Sequence, residues 1–175
     1  HMKEFEVFGV ENPDYVLPDV DLVDPDNLAF GKEVITHLST KSVQNITDGL
    51  DVTACSGEFA PAYFDIDLEQ NYDLSEIILS FPINANGYYY YTVYGSVDGS
   101  NYDRLFRQRS QEPELDGVQV INLDELGLET TEYRIVRVWM EYAYGSSSSI
   151  LSEVRIHGEA TGTNTGALRT GTIDE

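Results

Sequence analysis

A chain of 175 residues suits one domain of about 130 residues with flanking segments, large enough to bury a core without covalent staples. Its 31 acidic residues against 10 basic ones give a formal charge of -21, which opposes approach to phosphate backbones and anionic lipid surfaces, so nucleic acid is excluded as a partner. No run approaches the roughly 18 apolar residues of a membrane span, and the single cysteine, Cys55, forms no internal disulfide.

Twelve tyrosines, frequent glycine and short alternating apolar runs predict an all-β protein. In chain order, His1-Met2 reads as a cloning scar, and the sequence is expected to be a fragment excised from a larger chain. Residues 3–9 (Lys3 to Gly9) form a strand pattern that can be laid over Ser152 to Gly158. Glu, Gly and the alternating apolar positions coincide at an offset of 149 residues. This segment is expected to be the last strand of a preceding copy of the same module, or else an added edge strand. Residues 10–26 carry three prolines and six carboxylates, the composition of an extended, self-repelling linker. Their interspersed apolar residues lay it against a domain, and a second cation site is the other reading of the acidic run.

The module itself is expected over residues 27–160. Val34 to Ser39 reads as its first strand, with His37 near the end. The polar stretch Ile46 to Thr53 then breaks the hydrophobic pattern. Asp48 offers a charged oxygen, Gly49 permits a tight turn and Thr53 adds a hydroxyl, the hard-oxygen chemistry that calcium selects, although an ordinary turn has the same letters. Cys55 reads as a small buried side chain. In Tyr63 to Leu68, alternation sends Phe64, Ile66 and Leu68 one way and Tyr63, Asp65 and Asp67 the other. The two aspartates are spaced like an acid/base pair for glycoside hydrolysis, but a solvated strand face gives the same alternation.

Glu76 to Phe81 is the near-continuous apolar run of a central strand, stopped by Pro82. A loop with Asn84 and Asn86 leads into the strand Tyr91 to Ser96, closed by the turn at Val97 to Asn101. Alternation groups Tyr89 and Tyr91 with Val93 on one side, and Tyr88 and Tyr90 on the other. At least one of these rings is a candidate platform for the C–H face of a pyranose; tyrosines packed crosswise on a sheet are the other reading. Arg104, Arg107 and Arg109 gather three of the ten basic residues, as a fork for hydroxyls or a carboxylate, or as neutralisation of nearby acids. Val118 to Leu123 and Tyr133 to Met140 read as strands, with Arg134 and Arg137 on opposite faces and Trp139 in the core. Glu141 to Ser149, with Tyr142 and Tyr144, reads as a loop. Leu151 to Gly158 is the closing strand, and residues 161–175 form a Thr/Gly-rich linker.

Five stretches in this order resemble the discoidin, or factor V/VIII type C, domain: Asn27 to Lys32 followed by Thr47-Asp48-Gly49; Phe64 to Leu68; Tyr91 to Gly99; Arg134 to Val138; and Ser152 to Gly158. The bacterial branch known as carbohydrate-binding module family 32 is the nearest fit. The resemblance implies a discoidin-like jelly-roll β-sandwich with one structural calcium and a sugar site in loops at one end. It implies that Asp48, Thr53 and Glu153 supply side-chain ligands to calcium, with carbonyls from Ile46 and Leu50. Tyr88, Tyr142 and Tyr144 are the expected stacking rings, and His37, Asn84, Asn86 and Arg107 the expected hydroxyl partners. Cys55 departs from the family, which has Trp there; Phe59, Tyr63 or a neighbour is expected to fill the volume. The function implied is a non-catalytic module that anchors a larger secreted or surface bacterial protein to glycans, beside neighbouring modules. The alternative is a protein-interaction or adhesion module on the same fold.

Overall fold

The computed structural model describes residues 24–37, 42–51, 53–57, 61–81, 88–111, 117–144 and 149–162. The predicted residue 3–9 strand, most of the acidic segment and all but the start of the last linker lie outside them. Among the described residues the regular elements are nine antiparallel strands and two 3-10 turns, as the composition predicts. The strands are β1 (Val34–Ile35), β2 (Cys55–Gly57), β3 (Ala62–Ser80), β4 (Tyr88–Ser96), β5 (Asp103–Gln108), β6 (Val118–Asn122), β7 (Glu132–Tyr144), β8 (Ser149–Leu151) and β9 (Glu153–Ala160).

Strand β3 organises the sandwich. Its first half pairs with β1 and β7 in a layer ordered β1-β3-β7-β4-β5, while its second half pairs with β6 and β9 in the other layer. Sequence reading finds two separate strands here, 63–68 and 76–81; the structure joins them. The crossing falls where the register against β7 shifts, between Asp67 and Tyr72, and where Glu69 takes a left-handed φ of 72°. The Asp67 carboxylate accepts the Glu69 N–H at 2.8 Å, a local bond that supports this otherwise disfavoured conformation.

The predicted alternation holds through both layers. Phe64, Ile66 and Leu68 of β3, Tyr89, Tyr91 and Val93 of β4, and Val136, Val138 and Met140 of β7 are buried in one cluster with Ile77, Leu79, Val154 and Ile156. Each such side chain contributes about 1.5–3 kcal/mol relative to exposure, so this interdigitated layer carries most of the stability. Cys55 is fully buried, as expected, but Tyr63 does not fill the space beside it, because it belongs to the opposite face of β3. Phe59 lies outside the described residues.

The chain enters the module along its last strand. Leu28 N donates to the Ile156 carbonyl at 2.8 Å, Ile156 N donates to the Asn27 side chain, and His157 sits between the carboxylates of Asp24 and Glu76. Burial works against a charge on His157, yet its two carboxylate hydrogen bonds raise its pKa above the ordinary value. A further constraint lies at Gly158, where an added Cβ would stand 2.4 Å from the Asp73 carbonyl oxygen on the paired strand. Backbone cannot yield as a flexible side chain does. Gly158→Ala is therefore expected to cost about 1–3 kcal/mol in a urea titration with an unchanged slope.

Several readings are corrected. The described part of the first strand is only Val34–Ile35, with Thr36 and His37 beyond its end. Glu141 to Tyr144, expected in a loop, continues β7. Arg134 and Arg137 do not work on opposite faces, since they clasp Asp67 and Asp65 respectively, two residues of one face of β3. Trp139 is not core: it is partly exposed, opposite Tyr63 on that same outer face.

Candidate functional site

Two places gather the residues singled out from the sequence. The first is the junction of the 3-10 turn Val43–Thr47 with the start of β9. Gly49, at a φ of 83°, turns the chain so that its N–H donates to Glu153 Oε2 at 3.2 Å, joining positions 104 apart. The Thr53 hydroxyl lies 2.8 Å from Asp48 Oδ2 and 2.9 Å from the Leu50 carbonyl oxygen, and Leu50 N donates to Asp48 Oδ1. Asp48, Leu50, Thr53 and Glu153 thus converge. Ile46 is fully buried in the same turn.

Glu153 is the unusual member. It is completely buried, and its Oε1 has no hydrogen-bond partner. Burial pushes its carboxyl up to about 8, against the opposing pull of the Gly49 N–H and the Arg155 charge. A buried carboxylate oxygen without a partner is costly unless a proton or a cation occupies its lone pair. Two carboxylates, a hydroxyl and a carbonyl form an all-oxygen donor set, and the orphaned Oε1 gives a hard cation such as calcium something to bind. The residues present fit that ion.

The second place is the outer face of the β1-β3-β7-β4-β5 layer. Residues directly opposite across strands share a face, so the pairs Tyr88↔Tyr144 and Tyr90↔Tyr142 bring four tyrosines together at one end of β4 and β7. Tyr88 and Tyr144 stack at 4.9 Å between centroids, only 10° from parallel, and Tyr90 packs 5.7 Å from Tyr142. Tyr142 and Tyr144 remain 45% and 51% exposed, which leaves ring surface open to solvent. The device that puts them there is a bulge. Between Tyr90↔Tyr142 and Tyr91↔Met140 the strand β7 holds one extra residue, Glu141, which reverses the alternation and turns Tyr142 and Tyr144 outward while Met140 stays in the core.

Glu141 also fixes the polar rim. It accepts the Thr92 hydroxyl at 2.6 Å, binds Arg109 and lies 3.8 Å from Arg107. Burial alone would raise its pKa, but these partners lower it, so it stays ionised. Arg109 in turn lies over the Tyr90 ring at 5.1 Å, and Arg107 and Arg109 keep half and a third of their side-chain surface. Tyr90 and Arg109 are open candidates in the sequence, whereas Glu141 is not among the predicted site residues. Alternation beside Tyr88 pointed to Tyr90 and the basic run to Arg109, whereas no sequence signal marked the bulge.

His37 joins a different group on this face. Its ring lies 4.8 Å from Tyr63, which stacks towards Trp139 at 6.3 Å, and the Arg137 guanidinium lies over both the Tyr63 ring at 4.5 Å and the Tyr102 ring at 3.9 Å. Arg137 binds Asp65 through two nitrogens at 2.5 and 2.6 Å, and Arg134 binds Asp67 through two at 2.8 Å. Arg134 and the Glu69 N–H lower the pKa of Asp67 against the effect of burial. Two carboxylates each closed by an arginine fork do not make an acid/base pair. Asn84 and Asn86 lie outside the described residues.

No family model and no curated protein matches the chain. Solved structures do. A family 89 glycoside hydrolase from Clostridium perfringens superposes with a TM-score of 0.69 at 18% identity over 82% of this chain, which spans 16% of that enzyme's length. Whole small modules match as well. The CBM32 of AlyQ, solved with 4,5-unsaturated mannuronic acid, gives 0.61 at 13% identity over 73% of this chain and 95% of the module. The chain has the discoidin-like jelly-roll fold of such modules. Chitosan-binding module 2 from a Paenibacillus sp. IK-5 chitosanase/glucanase, in complex with chitotriose, also has the fold. It matches at 0.61 and 19% identity over 75% of the discoidin-like chain and the whole of the module.

Proposed function

We propose that the chain is a non-catalytic carbohydrate-binding module that holds a larger secreted or cell-surface protein to glycans, with one calcium ion clamping its last strand. The observation that carries this reading is the group of outward tyrosines rimmed by Glu141 and two arginines. Rings that are apolar on the face and polar at the edge suit a pyranose, whose C–H face stacks while its hydroxyls bond to the rim. Tyr88, Tyr142 and Tyr144 supply the rings, with Tyr90 beneath Arg109. Arg107, Asn84 and Asn86 supply hydroxyl partners, and His37 serves at the neighbouring row. The small neighbours of this fold are sugar-binding modules rather than catalytic domains, which supports a binding role. Asp48, Thr53 and Glu153 supply side chains to calcium, with carbonyls of Ile46 and Leu50, and the ion adds charge neutralisation that the buried Glu153 lacks.

A shallow platform of this kind gives affinities on the order of mM to tens of μM. A glycan array in calcium-containing buffer identifies the sugar, and titration of the best hit against Tyr144→Ala is expected to show at least a tenfold loss, about 1.4 kcal/mol. Binding unchanged in Tyr144→Ala and Tyr88→Ala would move the site elsewhere. No glycan bound would favour a protein-interaction module.

A further inference from the structure

We infer that the row formed by Trp139, Tyr63 and His37 is a second glycan subsite, so that the face reads a chain of several sugars rather than one terminal unit. The inference rests on the sugar-binding reading of the tyrosine cluster and extends it.

Cross-strand pairing puts both groups on one surface. On β4 the alternation runs without a break through Tyr88, Tyr90, Thr92 and Tyr94, opposite Tyr144, Tyr142, Trp139 and Arg137 of β7. Tyr63 of β3 is the partner of Trp139 on its other side, and His37 packs on Tyr63. At about 3.3 Å per residue, the Trp139 row and the Tyr144 row lie roughly 13 Å apart along the strands, further than one pyranose reaches and within the span of about three or four linked sugars.

Between the two rows stands the pair Tyr90 and Tyr142, with Arg109 and Glu141 at its edge. Thr92 opposes Trp139 on one side and Arg107 on the other, and Glu141 covers it. The face is therefore a run of rings from Tyr144 to Trp139, edged by charged groups. A linked glycan has the same amphipathic character along its length, with C–H patches between rims of hydroxyls. The Trp139 indole N–H has no hydrogen-bond partner among the described residues and remains available to a ligand. The long-range charge of -21 argues against a polyphosphate on this surface. Sheet tyrosines stacked only for stability would leave this second row indifferent to ligand.

Trp139 is the only tryptophan, so its fluorescence reports on the row. The probes are glucosamine oligomers and mannuronate oligomers of one to six units, titrated against the intact chain. Affinity in the binding series is expected to rise at least tenfold between one and four units. Tryptophan emission is expected to change only with oligomers long enough to reach the row. Trp139→Ala should remove the length dependence while leaving single-unit affinity unchanged, and Trp139→Phe should restore part of it; melting curves of both variants exclude a folding defect. Single-unit binding without length dependence, or saturation by long oligomers with unchanged emission, overturns the second subsite and leaves the tyrosine site standing. No binding by any member of either series overturns the inference together with the site on which it rests.

Discussion

With divalent cations chelated, the melting temperature is expected to fall by roughly 10 °C as pH rises from about 5 to about 9, and added calcium is expected to restore it. The cause is Glu153, whose carboxyl is ordinarily near 4.5 and is pushed by burial to about 8. Below the lower value the group is protonated in both states and costs nothing. Between the two values the folded protein keeps a proton that the unfolded chain gives up, so stability falls by about 1.4 kcal/mol per pH unit. Above the upper value the full penalty of a few kcal/mol is present. A bound cation takes the place of that proton and removes the slope. His157 adds a loss of the same sign above its ordinary 6.5, because its folded pKa is also raised. Glu153→Gln separates the two, since it should lose the calcium response and most of the slope while keeping the His157 part. A chelated melt that is flat or rises over this range would refute the clamp.

Asp65→Ala should be among the more damaging single substitutions on the outer face. It would leave the Arg137 guanidinium, whose side chain is only 22% exposed, between Tyr63 and Tyr102 without its carboxylate. Removing one partner of such a pair costs about 3–5 kcal/mol when fully buried, and partial exposure brings the expectation to about 2–3. The Tyr102 hydroxyl loses an acceptor as well. Removing Arg137 in addition should recover part of the loss, so the double substitution is expected to cost at least 1 kcal/mol less than the sum of the singles in urea denaturation. Strict additivity would mean that the pair is not coupled.

What could be read from the sequence was set by periodicity and by local chemistry. Phe64, Ile66 and Leu68 against Tyr63, Asp65 and Asp67, and Tyr89 and Tyr91 against Tyr88 and Tyr90, follow from side chains alternating on a pleat. The bulge at Glu141 breaks that rule, so the sequence pattern reads as a loop where a strand turns Tyr142 and Tyr144 outward. A lone tryptophan reads as core because large apolar rings usually are, while the place of Trp139 follows from its pairing with Tyr63. Asp48 and Thr53 announced an oxygen-rich turn by themselves. Glu153 lies a hundred positions further on, and only the family resemblance tied it to them; its orphaned Oε1 is a property of packing that no spacing reveals.

The passage of β3 through both layers governs how the chain can fold. Because residues 62–67 pair in one layer, residues 74–80 in the other, and Tyr72 and Asp73 with strands of both, neither layer has an independent seam along which it could open. The pairs that close the second layer, such as Leu79↔Val154, join chain segments made far apart in time, so most loop entropy is lost before the sheet rewards it. A slow, all-or-none transition follows, with β9 arriving last in synthesis. Until that strand docks, the second half of β3 presents an open apolar edge, and a chain arrested there would associate with its own copies before it could complete the sandwich.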